Sequence, residues 1–429
     1  MPSVGLISLG CKVNMYETEY LTNILKDEGY EIKDFNDFCD VYIINTCTVT
    51  NTSDTKSGKT IRRAKKNNPN AVIVAIGCFI ESHKDNNNFE GIDIVVGTKD
   101  KTKVPELIDE YLKNKEQIIN LYKDVPNDFE DMYIEDFPGR TRAFVKIQDG
   151  CENFCAYCII PYVRGKCCSK EKDKVLDEIN SLINNGYQEI VLTGIHTGNY
   201  GVDLDITFAD LLKDIVKIKG LKRLRISSIE CTEINDEILK LLKENKVIVD
   251  HLHIPIQSGS NEILKLMNRK YDLDYFENKI KEIRKIRKDI SITTDLIVGF
   301  PHETDELFKE TLETCKRINF AKIHVFPYSE RKGTKAVLMD EKVDQETKKL
   351  RARKVLKLSK ELEINYFNKF INKDEEVLIE TTKNGYSYGH TGNYLNVKIK
   401  GEFNHNTFVM VKITDIDYPN VIGEPVKWK

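Results

Sequence analysis

The sequence lacks any apolar run that approaches the roughly 20 residues needed for a membrane-spanning helix. Its first residues, MPSVGLISLGCKVN, lack the basic start, the longer apolar stretch and the small-residue cleavage site of a secretory signal peptide. No internal repeat and no low-complexity tract occurs. These absences point away from membrane, secreted and repeat proteins, and they predict a soluble cytoplasmic protein.

Cysteine is plentiful by comparison, with eleven in 429 residues. Because the cytosol keeps thiols reduced, metal binding or thiol chemistry explains these cysteines better than disulfides do. Hydrophobic residues make up 40% and charged residues 31% of the chain, which is typical of a folded protein. The length exceeds that of one ordinary domain and predicts two or three hydrophobic cores.

Residues 1–122 alternate apolar strands with helical segments. Strands are predicted at residues 4–9, 41–44, 71–76 and 92–96, and helices at residues 15–28 and 53–66. This order predicts an open α/β domain with a largely parallel sheet. Residues 123–139 are acidic, contain two prolines and have no helical or strand period, so they are predicted to form a linker.

A second strand–helix series is predicted over residues 140–368. Its strands lie near residues 143–148, 189–193, 222–227, 251–255, 291–297 and 322–326, with helical stretches such as 174–185 and 305–317 between them. Six such units predict a partial (βα)6 barrel with its chemistry at the carboxyl ends of the strands. A basic helix follows from about Asp344 to Lys369, and the short runs of residues 369–429 predict a small β-barrel.

Cys151, Cys155 and Cys158 follow the first strand of the partial barrel in the sequence CENFCAYC. This spacing lets three thiols converge on one inorganic site. A structural zinc ion takes four closed ligands, and no fourth cysteine or histidine stands at zinc-finger spacing. An electron-transfer cluster also takes four cysteines. Three thiolates therefore predict a 4Fe–4S cluster with one open iron, and structural zinc is the alternative.

A second set of cysteines belongs to the N-terminal region. Cys11, Cys47 and Cys78 follow apolar strands in SLGCKVN, IINTCTVTN and VAIGCFIE. Because parallel strands end at one edge of a sheet, the three cysteines are expected to meet there and hold a second cluster with an open iron. Packing of free cysteines in the core is the alternative.

The two cysteine sets, the barrel between them and the C-terminal β-barrel resemble the radical S-adenosylmethionine (SAM) methylthiotransferases across nearly the whole chain. The resemblance implies that the open iron of the Cys151 set chelates SAM and that an electron cleaves it to a 5′-deoxyadenosyl radical. It also implies a set of SAM contacts: Tyr157 at the adenine, Thr193 and Gly194 at the second strand end, Arg225 and Ser227 at the third, and Ile297 and Gly299 at the fifth. For Arg225 and Ser227 a structural role is an equal alternative.

Within this family, SLGCKVNMYETE and GCENFCAYCIIPYVRG look most like the branch that modifies N6-threonylcarbamoyladenosine beside the tRNA anticodon, at adenosine 37. The isopentenyladenosine branch usually has Gln-Met-Asn after the first cysteine and the ribosomal-protein branch has Pro-Lys-Asn, whereas this chain has Lys12-Val13-Asn14. The resemblance implies that one SAM methylates sulfur held at the cluster of Cys11, Cys47 and Cys78. A second SAM then supplies the radical for methylthio transfer to carbon 2. An electron donor such as flavodoxin or ferredoxin and a sulfur source are further implied partners.

The C-terminal barrel resembles a TRAM domain, although its charges nearly balance. The helix before it is therefore expected to supply phosphate contacts through Lys348, Lys349, Arg351, Arg353 and Lys354. A rival hypothesis is a non-catalytic iron–sulfur protein that binds RNA or senses iron and oxygen. Gly194 and the segment from Gly299 favour the enzyme, because a purely structural protein has no need of strand ends that cradle SAM.

Overall fold

The computed structural model describes residues 1–86 and 89–426. The N-terminal region is a six-stranded sheet in the order β2-β1-β3-β4-β5-β6, with every neighbouring pair parallel. Its strands are β1 (Ser3–Ser8), β2 (Glu31–Lys33), β3 (Val41–Thr46), β4 (Val72–Gly77), β5 (Ile94–Val96) and β6 (Ile118–Asn120). Its helices are α1 (Lys12–Asp27), α2 (Asn51–Asn67), α3 (Cys78–Ser82) and α4 (Val104–Asn114).

Both faces of this sheet are covered, which explains the unbroken apolar character of its central strands. All six residues of β3 and all six of β4 are buried. Val41 and Ile43 pack into the core on one face, while Tyr42 and Ile44 pack into the core on the other. The predicted open α/β domain is confirmed. The short edge strands β2 and β6 and the helix α4 were missing from the prediction, and α1 begins three residues earlier than predicted, with Cys11 as its N-cap.

Six main strands build the central barrel in two parallel groups, β7-β10-β11 and β12-β13-β14. A parallel bridge between Leu224 and Ile248 adjoins the two groups, so the sheet curls without closing. The strands are β7 (Arg142–Lys146), β8 (Gln148–Asp149), β9 (Cys168–Ser169), β10 (Glu189–Thr193), β11 (Arg223–Ile226), β12 (His251–His253), β13 (Ser291–Val298) and β14 (Lys322–Pro327). The helices are α5 (Ile160–Arg164), α6 (Lys172–Asn184), α7 (Phe208–Ile215), α8 (Asp236–Glu244), α9 (Asn261–Leu266), α10 (Leu273–Ile286), α11 (Asp305–Ile318) and α12 (Gln345–Asn368).

The C-terminal region is a closed five-stranded barrel in the order β15-β16-β17-β19-β18. Its strands are β15 (Asp374–Lys383), β16 (Tyr386–Thr391), β17 (Asn396–Lys400), β18 (Phe408–Asp417) and β19 (Asn420–Pro425). The predicted partial barrel and small β-barrel are therefore both confirmed. Among the described residues no helix is both long enough and apolar enough to cross a membrane.

The predicted linker has no helix or strand, yet it is packed into the protein. Met132, Ile134 and Phe137 are buried in the core of the central barrel. The hydroxyl of Tyr16 in α1 donates a hydrogen bond of 2.8 Å to the carbonyl of Met132. This segment therefore fastens the N-terminal sheet to the barrel.

Two of the five cations assigned to RNA on α12 are buried, so that expectation is wrong for them. Arg351 is bound by Glu303 and Asp305, each at 2.8 Å. Lys348 packs against Gly299, where a Cβ atom would lie 2.3 Å from the Lys348 Cγ. Charge alone did not reveal that α12 turns these residues toward β13 and α11.

Candidate active site

The loop that carries Cys151, Cys155 and Cys158 is anchored by a short antiparallel hairpin of β8 and β9. Gly150 joins the hairpin to the loop with φ +72°, and a Cβ atom there would lie 1.8 Å from the carbonyl oxygen of Lys166. The Cys151 amide donates to the Gly165 carbonyl at 3.1 Å, which closes the turn. Burial, with the neighbouring Cys155 and Cys151 thiols, raises the pKa of Cys158 to about 12.

Two polar side chains contact this loop from the barrel. His196 places Nδ1 3.6 Å from the Cys151 sulfur and pairs through Nε2 with Glu233. Burial opposes its positive charge, but the hydrogen bonds to Cys151 and Glu233 raise the pKa of His196 to about 10. Arg269 donates to the Cys155 sulfur at 3.4 Å and forms an ion pair with Glu230.

A cavity of about 260 Å³ opens directly beside this loop. Its lining includes Cys155, His196, Glu230, Glu233 and Arg269. The cavity therefore offers both carboxylates and cations next to the cysteine loop, as a zwitterionic ligand such as an amino acid requires.

Most of the residues predicted to contact SAM lie around the same loop. Tyr157 packs against the apolar cluster that contains Ile297, and Gly299 follows β13 with φ +71°. At Gly194 a Cβ atom would lie 3.0 Å from the Gln148 side chain. Thr193 is buried at the end of β10. Ser227 approaches Thr197, one residue after His196, with 3.3 Å between their hydroxyls.

Arg225 is the exception, since the structure places it at the interface with the C-terminal barrel. Its Nε bonds Glu189, and its two terminal nitrogens donate to the carbonyls of Gly392 (3.0 Å) and Thr391 (2.8 Å). Its guanidinium also lies 4.6 Å from the ring centre of Tyr394. Its position near a strand end suggested a SAM contact, but its nitrogens are engaged by Glu189 and by the C-terminal barrel.

The second cysteine set lies at one edge of the N-terminal sheet, as expected. Cys11 caps α1, Cys47 directly follows β3, and Cys78 directly follows β4. Gly10 adopts φ +98°, and a Cβ atom there would lie 2.6 Å from the Cys47 sulfur, so these two loops press together. Asn14 ties them by donating to the carbonyls of Leu9 (2.7 Å) and Thr46 (2.9 Å).

Each set presents three thiols that no disulfide engages. Burial raises the pKa of Cys11, Cys47 and Cys78, and each thiol lies within electrostatic reach of another in the set. Across residues 1–86 and 89–426, no three Cys, His, Asp or Glu side chains are gathered tightly enough for a single metal ion. A four-iron cluster spaces its thiolates more widely than one ion does, and three thiols that leave one iron open fit such a cluster.

Arg164, which ends α5 just after the first cysteine loop, joins the two sets and was not predicted. It is buried, and its Nε donates to the Cys78 sulfur at 3.2 Å. Nη1 donates to Glu17 at 3.0 Å and to Asp149, two residues before Cys151, at 3.0 and 3.1 Å. Burial alone would raise the pKa of Asp149, but Arg164 and Lys146 hold it well below its ordinary value.

Lys146 and Lys101 complete this buried charge cluster. Lys146 lies 3.0 Å from Glu17 and 2.7 Å from Asp149, and Lys101 lies 3.3 Å from Glu17. Three buried cations thus face two buried carboxylates beside the thiols. The surplus positive charge suits an anionic cluster on Cys11, Cys47 and Cys78.

Cys167 and Cys168, for which no role was predicted, are engaged separately. The Cys167 sulfur accepts from Gln148 at 3.1 Å and donates to the Asn199 carbonyl at 3.6 Å. The Cys168 sulfur is buried 3.8 Å from the Lys99 amine. Cys168 is the first residue of β9 in the hairpin that carries the first cysteine loop, and Cys167 directly precedes it.

The partial barrel and its three-cysteine loop define a radical SAM enzyme. The family model of the radical SAM superfamily matches residues 145–315, and that of the uncharacterized protein family UPF0004 matches residues 3–97. Among solved structures, the radical SAM methyltransferase TsrM from Kitasatospora setae has a TM-score of 0.56 at 14% identity, over 76% of this chain and 73% of TsrM. That likeness concerns the fold.

Relatives of similar length show to which family of radical SAM enzymes the chain belongs. The threonylcarbamoyladenosine tRNA methylthiotransferase MtaB of Bacillus subtilis (strain 168) is 44% identical over 439 residues, covering 100% of this chain and 97% of that protein. The protein of the same name from Aquifex aeolicus (strain VF5) is 37% identical over 93% of this chain and 97% of its own length. A tRNA-2-methylthio-N(6)-dimethylallyladenosine synthase from Carboxydothermus hydrogenoformans is 34% identical over 87% of this chain and 86% of its own. The chain belongs to the radical SAM methylthiotransferase family, whose cofactors are SAM and 4Fe–4S clusters.

Proposed function

We propose that this enzyme adds a methylthio group to carbon 2 of N6-threonylcarbamoyladenosine at position 37 of tRNA, in the cytoplasm. Cys151, Cys155 and Cys158 would hold the cluster that binds SAM, and Cys11, Cys47 and Cys78 would hold the auxiliary cluster. When bound, the first cluster would supply the electron that cleaves SAM, and the auxiliary cluster would hold the sulfur that is transferred. A flavodoxin or ferredoxin would provide electrons, and a separate sulfur source would supply sulfur. The regions 1–122, 140–368 and 369–429, with the linker 123–139, would be the units of this enzyme.

One observation carries the proposal, namely the bridge that Arg164 makes between the two cysteine sets. It bonds the Cys78 sulfur on one side and Asp149, beside the Cys151 loop, on the other. Its burial with four other charged groups fixes the two sets relative to each other. Sulfur insertion needs a radical and a sulfur donor within reach of one carbon atom, and this bridge supports such an arrangement.

The residues of the chain position and shield the reactants. Arg269 and Glu230 line the cavity beside Cys155, where they suit the carboxylate and amino groups of SAM. Tyr157 and Ile297 belong to the apolar wall nearby. An adenine would have to leave its stack in the anticodon loop to reach this space. Lys349, Arg353 and Lys354 remain exposed on α12 for contact with phosphate.

The substrate is supported by the relatives with the threonylcarbamoyladenosine name, which match over nearly the whole chain. Mass spectrometry of tRNA nucleosides from a deletion strain tests this assignment. We expect the methylthio group to vanish from threonylcarbamoyladenosine only and to return on complementation. Loss from isopentenyladenosine instead would move the enzyme to the other tRNA branch, and no nucleoside change would contradict a tRNA substrate.

Anaerobic reconstitution separates the enzyme from a non-catalytic iron–sulfur protein. We expect roughly eight irons per chain and formation of 5′-deoxyadenosine from SAM with dithionite. A chain with about four irons would lack one of the two clusters. A chain that forms no 5′-deoxyadenosine would support the non-catalytic alternative.

A further inference from the structure

Charged side chains gather in the partial barrel near the amino ends of β7, β10 and β11. Glu189 on β10 is shared by Arg142 on β7 and by Arg223 and Arg225 on β11. Arg142 also bonds Glu380 of the C-terminal barrel at 3.3 Å. Arg223 reaches Glu376 at 3.2 Å. The three arginines of this set are therefore matched by three carboxylates.

Lys12 adds a fourth cation to this set. It is the first residue of α1, directly after Cys11, and it is partly buried. Its amine lies within electrostatic reach of Arg142 and Arg225, and His251 on β12 feels its charge as well. Within residues 1–86 and 89–426, no hydrogen bond or ion pair satisfies the Lys12 amine.

The Lys12 amine has no partner in the described part of the chain but still reaches solvent, so it is accessible to an anionic group of a ligand. The arginines around Lys12 are held by their own carboxylates, so the unmatched charge of this set is that of Lys12. One anionic group on a ligand would complete the set. The location beside Cys11 places that group next to the auxiliary cluster.

The proposed substrate carries one such group. The threonyl moiety on the N6 nitrogen ends in a carboxylate, and the N6 nitrogen and carbon 2 belong to the same six-membered ring. An adenine whose carbon 2 faces sulfur held at the auxiliary cluster therefore has its N6 substituent near that cluster, where Lys12 follows Cys11. We propose that Lys12 binds the threonyl carboxylate of the substrate and thereby selects threonylcarbamoyladenosine over adenosines with a neutral N6 group. This inference rests on the proposed function.

The test compares the affinities of the reconstituted holoenzyme for two RNA probes. Binding is measured anaerobically by fluorescence anisotropy, without SAM. The probes are an anticodon stem-loop with threonylcarbamoyladenosine and the same RNA with the carboxylate converted to a methyl ester. We expect the wild type to bind the acid roughly tenfold or more tightly than the ester, as one charge-assisted hydrogen bond allows. Lys12→Gln should bind both probes equally, and Lys12→Arg should keep the preference.

Because each variant is judged by the ratio of two probes, a loss of folded protein does not imitate the result. Lys26→Gln removes an exposed positive charge from the last turn of the same helix and should keep the wild-type ratio. A wild type without preference, or a Lys12→Gln variant with the full preference, would overturn the inference. A Lys12→Gln variant that binds SAM more weakly but keeps the wild-type ratio of affinities for the two RNA probes would also overturn the inference. Lys12 would then bind the carboxylate of SAM.

The proposed function is judged separately, by the methylthio product in wild-type tRNA. If that product is absent, the substrate assignment fails irrespective of Lys12. If the product is present while Lys12→Gln still discriminates between the probes, only the assignment of Lys12 fails.

Discussion

Arg164 donates a hydrogen bond from Nε to the sulfur of Cys78 over 3.2 Å, from the end of α5 in the central barrel to the edge of the N-terminal sheet. A positive donor at a cluster ligand raises the reduction potential of that cluster. We expect Arg164→Gln to lower the midpoint potential of the auxiliary cluster by on the order of 100 mV, measured by redox titration with electron paramagnetic resonance. It should also reduce the free energy of unfolding by about 3–5 kcal/mol, since buried carboxylates lose their partner.

Arg269→Gln provides the reciprocal control. Arg269 donates to the Cys155 sulfur at 3.4 Å and, among the described residues, makes no hydrogen bond to the auxiliary set, so its replacement should shift the potential of the SAM cluster instead. Identical shifts of both clusters in both variants would contradict a local role for Arg164.

Replacing one cysteine of each set should separate SAM cleavage from sulfur insertion. Cys151→Ala removes a ligand of the SAM cluster and should abolish both 5′-deoxyadenosine and methylthio product. Cys47→Ala should abolish the product while SAM cleavage continues, because the auxiliary set would hold the sulfur. Each variant should retain roughly four irons. Full methylthiolation by Cys47→Ala would refute the auxiliary role.

Arg225 should act on domain docking rather than on SAM. Arg225→Ala removes the bonds to Gly392 and Thr391, and we expect faster hydrogen exchange over residues 389–394 with a loss of about 2 kcal/mol of local stability. Arg353→Ala, an exposed change on α12, should leave that exchange unaltered. A weaker affinity for SAM without faster exchange would restore Arg225 as a SAM ligand.

Glu375 in the C-terminal barrel should make stability depend on pH. Burial, with repulsion from Asp250 and Asp289, raises its pKa to about 7, whereas the unfolded chain has a value near 4.3. Between these values the folded state binds more protons, so stability should fall as pH rises from about 4 to 7 and stay lower above it. Glu375→Gln should remove this loss and stabilise the protein by about 1–2 kcal/mol at pH 8.

Thermal unfolding across this pH range measures the Glu375 effect. Glu402→Gln removes an exposed carboxylate from the same barrel and should leave the pH profile unchanged. Parallel profiles for Glu375→Gln and the wild type would show that Glu375 titrates normally.

The strands and the cysteine sets were predictable because their signals are local. Cys47 and Cys78 directly follow apolar strands, and parallel pairing alone brings such positions to one edge. The role of Arg164 could not be predicted from local patterns, since its partner Cys78 lies 86 residues away in the sequence. The SAM contact predicted for Arg225 was wrong because a position near a strand end does not show which neighbouring domain will accept its hydrogen bonds. The phosphate contact predicted for Lys348 was wrong because a count of charges does not show which side of α12 is buried.

The cluster of Glu17, Arg164 and the two lysines also has a consequence for synthesis on the ribosome. Glu17 emerges 147 residues before Arg164, the donor at 3.0 Å from it. The N-terminal sheet is made first, yet its buried carboxylate and the Cys78 thiol receive their guanidinium only after the barrel's cysteine loop has been translated. The earliest part of the chain is therefore among the last to reach its final electrostatic state, which ties maturation of the auxiliary site to completion of the loop that serves SAM.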